Sequence, residues 1–219
     1  MTMSGTTIGS GAPTSTVGVE LDALRPPSSP FFRAGVVLLV VVLALGAWFV
    51  PGMLQLRVQQ DENASAGGLV PWGSQVDLID VPLVVPLGGA TITSVVPIDG
   101  ARQVGAWVVP ASDRATYEQA VDGWSLACGA PNSPAPECQL PADGEQASAL
   151  LAAVRRRGAP LDAAHALPRR VAAGPGATVV TLWQVSQCDA AKNGEIVVRA
   201  ATIAGTVTLP LPWGLFSCD

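Results

Sequence analysis

From Ala34 to Val50 the chain carries no charged residue and shows no polar stripe at helical spacing. A helix buried in a globular core would normally present such a stripe. Residues 34–54 reach the ~20 positions an α-helix needs to cross hydrocarbon, so the pattern predicts a transmembrane helix over 34–54. Six Val, four Leu and Phe49 fall between 34 and 50; together they favour insertion by roughly 4 kcal/mol. Trp48 and Phe49 suit a headgroup boundary, and Pro51-Gly52 supplies a stop. Ala44-Leu45-Gly46 offers the small residues of a signal-cleavage site. Against cleavage, the apolar run starts only after Arg33 and continues past that site.

After residue 54 the pattern turns to strands. Leu54, Leu56 and Val58 alternate, as a first strand or as the exit from the membrane. Val76–Leu78 and Leu83–Val85 flank Pro82, which suits two edge strands, and Gly88-Gly89 marks a turn before 91–98. Val104–Val109 stops at Pro110. A long run over 177–188 leads to Asn193-Gly194, a hairpin signal that would return the chain along 195–199. Near the end, Ile203, Val207 and Leu209 share one parity and Thr202, Thr206 and Thr208 the other, the mark of a half-buried strand. One helix interrupts the series: Asp143 can cap it, and Ala147, Leu150, Leu151 and Val154 fall at i, i+3, i+4 and i+7 before Gly158 and Pro160 end it. About seven strands with proline-rich joints imply an antiparallel sandwich. The expected organisation is a disordered cytoplasmic tail over 1–33, a span over 34–54 and a β-sandwich domain over 55–219.

Charge and cysteine placement say where the parts lie. The first 33 residues are rich in Gly, Ser, Thr and Pro and cannot bury a core. All but Arg25 and Arg33 of the 12 Lys plus Arg, and all but Glu20 and Asp22 of the 17 Asp plus Glu, follow residue 54. The resulting acidic balance argues against nucleic-acid binding. Arg25 and Arg33 precede the span and only Arg57 follows closely, which favours a cytoplasmic N-terminus in the plasma membrane. All four cysteines, Cys128, Cys138, Cys188 and Cys218, come after the span, as expected for disulfides in an exported domain. No C-x-x-C pair accompanies the single His165, so zinc is not indicated. Four cysteines allow three pairings; Cys128 with Cys138 and Cys188 with Cys218 is the expected one, the first closing a loop stiffened by three prolines. Asn63-Ala64-Ser65 fits the glycosylation pattern, which is short enough to occur by chance.

Pro71-Trp72-Gly73, the run Thr91–Pro97 and the Cys188-bearing strand followed by a threonine-faced hairpin resemble the membrane-tethered or secreted immunoglobulin-like β-domains of actinobacteria. The resemblance covers residues 70–219 and implies a fold and an envelope setting, with no chemistry. The Cys, Trp, Cys order of antibody domains is missing, and the helix at 144–157 would be an insertion.

Catalytic motifs are scarce. His165 is the only imidazole and no G-x-S-x-G elbow exists, so it reads as a loop residue. Asp77 with Asp80, and Asp61 with Glu62, read as solvated strand ends or turns rather than a glycosidase pair. Asp99, Asp122 and Asp189 lack a calcium-loop pattern, and neither Gly88-Gly89 nor Gly174-Pro175-Gly176 has the Lys and Ser/Thr of a phosphate loop. No cofactor is implied. Trp107, Trp124 and Trp183 read as core, whereas the Pro-Trp-Gly triplets at 71–73 and 212–214 sit at turns. Five arginines, Arg155, Arg156, Arg157, Arg169 and Arg170, fall within sixteen residues of an acidic domain. Cations at a helix C-terminus complement its dipole, but the second pair lies beyond the helix, so an anionic partner is expected: lipid headgroups or a wall polymer. The expected role is a single-pass envelope protein whose outer domain binds or scaffolds, with the bilayer and an envelope protein or polymer as partners. The alternatives are an accessory subunit of a larger membrane complex and, less favoured for want of a base, an extracytoplasmic hydrolase.

Overall fold

The computed structural model describes residues 30–59, 67–69, 74–129, 133, 135, 138–141 and 144–211. Residues 1–29 of the expected 1–33 tail, the glycosylation pattern, Asp61 with Glu62, both Pro-Trp-Gly triplets, the Asp143 cap and Cys218 lie outside them. The chain divides into two units, Met1–Phe49 and Val50–Asp219. The first holds most of helix α1, Pro30–Leu54. Its backbone is helical from Pro30, four residues before the predicted start. Among the described residues no helix is long and apolar enough to cross a membrane.

The second unit is mainly β, with two antiparallel sheets and a few helices. Strands β1 (Arg57–Val58) and β2 (Gly67–Leu69) both pair with β3 (Val76–Val85). β3 pairs with β7 (Gly174–Val185), and β7 with β5 (Ala101–Val109), completing the first sheet. The second runs β6 (Arg169–Val171), β4 (Ala90–Val95), β8 (Val197–Thr202), β9 (Gly205–Pro210).

Side-chain parity explains the layering. In β3, Ile79, Val81, Leu83 and Val85 pack with Ile92, Val198 and Ala200 of the second sheet. Val76 and Leu78 point the other way, toward two helices, α2 (Arg114–Cys128) and α3 (Gln146–Arg156). The first sheet is therefore buried on both faces, with helices on one side and the second sheet on the other. Strands buried on both faces read as nearly continuous apolar runs rather than alternating ones, which is the character of Val76–Val85 and Ala177–Leu182. Trp107, Trp124 and Trp183 are all in the core, as expected.

Four expectations need correction. Val76–Leu78 and Leu83–Val85 are not two edge strands but one strand inside the sheet. Pro82 is tolerated because its carbonyl accepts from the Gln59 N–H at 2.8 Å. A strand residue's N and O point to the same side, so its missing N–H faces the β1 side and leaves the β7 ladder intact. The predicted helix is present as α3, with Ala147, Leu150 and Val154 buried, but it is not alone. α2 buries Tyr117, Ala120, Trp124 and Cys128, and a short α4 (Cys188–Asn193) follows β7. The Asn193-Gly194 hairpin does not form: Gly194 has φ −77°, and Val197 onward joins β4 in the other sheet. Lastly, Ile203 belongs to no strand. It sits exposed in the β8–β9 turn, while Val207 and Leu209 keep their half-buried parity and Thr206 and Thr208 face out.

Cys128 and Cys138 form a disulfide that closes the proline-rich loop after α2. A loop of that length stabilises by roughly 3 kcal/mol in the chain-entropy model. Cys188 is also disulfide-bonded.

Candidate functional site

The five arginines do not share one surface. Arg155, in the last turn of α3, donates from Nε to the Leu161 carbonyl at 2.6 Å and also from Nη2 to the same oxygen. Its guanidinium carbon lies 5.8 Å from the Trp107 ring centroid, within cation–π range. Arg155 thus ties the chain beyond α3 to the sheet. Arg156 is exposed, and Arg157 lies beside Gly123 of α2. Arg169 and Arg170 are successive residues of β6 and so project to opposite faces. Arg169 contributes to the field at Asp113, while Arg170 Nη2 reaches the Gly88 carbonyl at 3.5 Å.

The only histidine lies in a loop, as expected, and its ring is engaged there. The segment 162–167 lies along β5: Val108 donates to the His165 carbonyl at 2.8 Å and Ala166 bridges to Trp107. This lays the imidazole between two carboxylates. Nδ1 stands 2.7 Å from Asp162 Oδ1, and Nε2 stands 3.1 Å from Asp113 Oδ2. Ser112 donates to the other Asp113 oxygen at 3.0 Å. Hydrogen bonds from His165 hold both carboxyls below their usual range, helped at Asp113 by Ser112. Carboxylates only accept, so both contacts are filled together when the ring carries both protons. A general base must offer a free nitrogen to a nucleophile, and here each ring nitrogen already faces an acid. The cluster joins the β5–α2 loop to the 162–167 segment.

Asp77 and Asp80 are neither at strand ends nor a pair, which corrects the reading of both as solvated. They differ in parity. Asp77 points to the inter-sheet side in register with Trp183 and is 1 % exposed. Neither of its oxygens has a hydrogen-bond partner among the described residues. Burial pushes its carboxyl up to about 7. Asp80 points to the helix side, where burial raises it to about 6, with Glu118 and Asp122 of α2 adding to the rise and its own backbone N–H and Arg114 opposing it. Tyr117, buried beside this acidic strip, is held well above its ordinary value, chiefly by burial. Arg114 is claimed by Glu118 at 2.5 Å. Among the described residues no three His, Cys, Asp or Glu side chains gather as metal ligands.

Sequence reasoning missed a different surface, at the end of the domain where β3 turns into β4. Leu87 N–H donates to the Met53 carbonyl at 3.0 Å. Gly88, at φ +88°, lies so close to Ile203 that a Cβ built on it would stand 2.8 Å from Ile203 Cγ2. The β3–β4 and β8–β9 turns are therefore neighbours. Leu87 and Ile203 are both exposed, and a depression of about 240 Å³ beside them is lined by Gly88, Thr91, Arg170, Thr202 and Ile203. The signal available in the sequence was an isoleucine next to Ala204-Gly205, an apolar residue at a turn.

No family model matches this chain, and no curated protein or solved structure is detectably similar to it.

Proposed function

We propose that the chain is a single-pass envelope protein, held in the plasma membrane by α1, whose extracytoplasmic domain binds or scaffolds a partner. The observation that carries this is the surface of α1. Val36 through Leu43 are eight consecutive residues, all Val or Leu, and every one is exposed. At 100° per residue eight positions go around the helix twice over, so this stretch has no polar face for water. At 1.5 Å per residue, the 25 residues of α1 extend about 37 Å, more than the ~30 Å of hydrocarbon. Lipid is the solvent that suits such a surface.

Two further features support the setting and the role. The Cys128–Cys138 bond and the bonded Cys188 suit an oxidising space outside the cytoplasm. The imidazole committed to Asp113 and Asp162 favours binding over hydrolysis. Kinship with immunoglobulin-like domains is supported by the two antiparallel sheets sharing one core; the helical layer over the first sheet departs from it. Washing membranes with alkaline carbonate tests the anchor. Full-length chain should stay in the pellet, and a chain released to the supernatant or processed after Gly46 would overturn the proposal.

A further inference from the structure

We propose that the end of the domain bearing Leu87 and Ile203 rests on the phosphate layer of the bilayer that α1 enters, with Arg57 and Arg170 as its phosphate contacts. This rests on the anchoring role proposed for α1.

Met53 is the last but one residue of α1, and its carbonyl receives the Leu87 N–H. The β3–β4 turn is thereby fastened to the point where the chain leaves the helix. Ile203 lies against Gly88 of that same turn. If α1 ends at the membrane boundary, the β3–β4 turn bonded to Met53 is within reach of the headgroups.

Composition fits that position. Met53 is 52 %, Leu87 55 % and Ile203 68 % exposed, at adjoining turns where two polar side chains would cost nothing in water. Ile203 even departs from the polar residues usual in a two-residue turn. Among them stand cations. Arg170 is exposed at the edge of the depression, and its Nη2 reaches the Gly88 carbonyl at the 3.5 Å limit of a hydrogen bond. Arg57, four residues beyond Met53, is exposed in β1 opposite Val84. Apolar tips among arginines are what an interface offers a place for: side chains reach the acyl boundary while guanidinium groups meet phosphate. A soluble protein partner would explain the apolar tips, but not their attachment to the end of α1.

The test uses the full chain in vesicles of phosphatidylethanolamine and phosphatidylglycerol, with a benzophenone amino acid replacing Leu87, Ile203 or, as the comparison position, Leu126. Leu126 is 89 % exposed on α2, across the first sheet from the β8–β9 turn. After irradiation, phospholipid adducts should form at 87 and 203 and be sparse at 126. Changing Arg57→Gln with Arg170→Gln should cut the adduct yield at 203, about fivefold for each charge removed, the factor equivalent to ~1 kcal/mol per basic residue at an anionic surface. Chain-to-chain adducts at 87 and 203, or equal lipid adducts at all three positions, would overturn the docking while carbonate-resistant chain keeps the anchor standing. Extraction of the chain by carbonate would overturn both.

Discussion

His165 Nε2 lies 3.1 Å from Oδ2 of Asp113, a residue 52 positions earlier, while its Nδ1 lies 2.7 Å from Asp162. One ring thus fastens the start of α2 to the loop that lies along β5. Both acids titrate below their usual value when folded, so the unfolded chain takes up protons first as the medium is acidified. The contribution is present above the ordinary carboxylate value of 3.8 and is lost as pH falls through the depressed folded values. Asp113→Asn should lower the melting temperature near neutrality, by the equivalent of about 1 kcal/mol or less for so exposed a partner. The gap to the unaltered protein should close as pH drops below 3.8. A gap that stays constant to low pH would mean that the carboxylate charge is not what holds the loop.

Asp77 has the opposite sign. Its folded value of about 7 lies above the ordinary 3.8, so between those values the folded protein holds a proton that the unfolded chain has released. Stability is highest below 3.8, falls as pH rises toward 7, and is flat beyond. Asp77→Asn keeps the shape without the charge. It should melt higher than the unaltered protein at alkaline pH and converge with it in acid. An Asn variant that is less stable at alkaline pH would show that the carboxylate is satisfied in its pocket.

Much of the β-content was legible because strand and turn signals are local, and α3 because its apolar stripe is long and leucine-rich. What escaped notice was decided by contacts distant in sequence. Pro82 reads as an edge breaker until Gln59 is seen on the side where its N–H is missing. α2 spaces its buried residues at 117, 120, 124 and 128, a helical period, but two of them are Ala120 and Cys128, and Gly123 lies inside. The Asn193-Gly194 hairpin is a sound local inference, overruled because β8 finds its partners in β4 and β9. The arginine cluster was visible as a count. Its division among Leu161, Trp107 and Gly88 depends on the fold.

The arginines of α3 give a sharp contrast. Arg155→Ala removes a two-pronged bond to the Leu161 carbonyl and the stacking over Trp107, a loss of about 1–2 kcal/mol for a partly exposed group. Arg155→Lys should recover little of it, since an ammonium has no planar fork. Arg156→Ala should change stability by no more than ~0.5 kcal/mol. Denaturant titration of the three variants measures this, and equal midpoints for the Ala variants at 155 and 156 would contradict the assigned role.

Cystine replacement ranks the cross-links. Cys128→Ala with Cys138→Ala should cost roughly 3 kcal/mol, and Cys188→Ala with Cys218→Ala roughly 4 kcal/mol, because a longer loop restrains the unfolded chain more. Melting temperatures that agree for the two double variants would overturn that ranking, or the pairing of Cys188 with Cys218.

Anchoring by α1 as proposed puts residues 55–219 outside the membrane. Lys192 is the chain's only lysine, so a membrane-impermeant amine reagent reports its side directly. Intact cells treated with such a reagent should yield carbonate-resistant chain modified at Lys192 and unmodified at the N-terminal amine, which reacts only after lysis. A chain whose Lys192 reacts only after lysis, or one that carbonate releases from the membrane, would contradict the account.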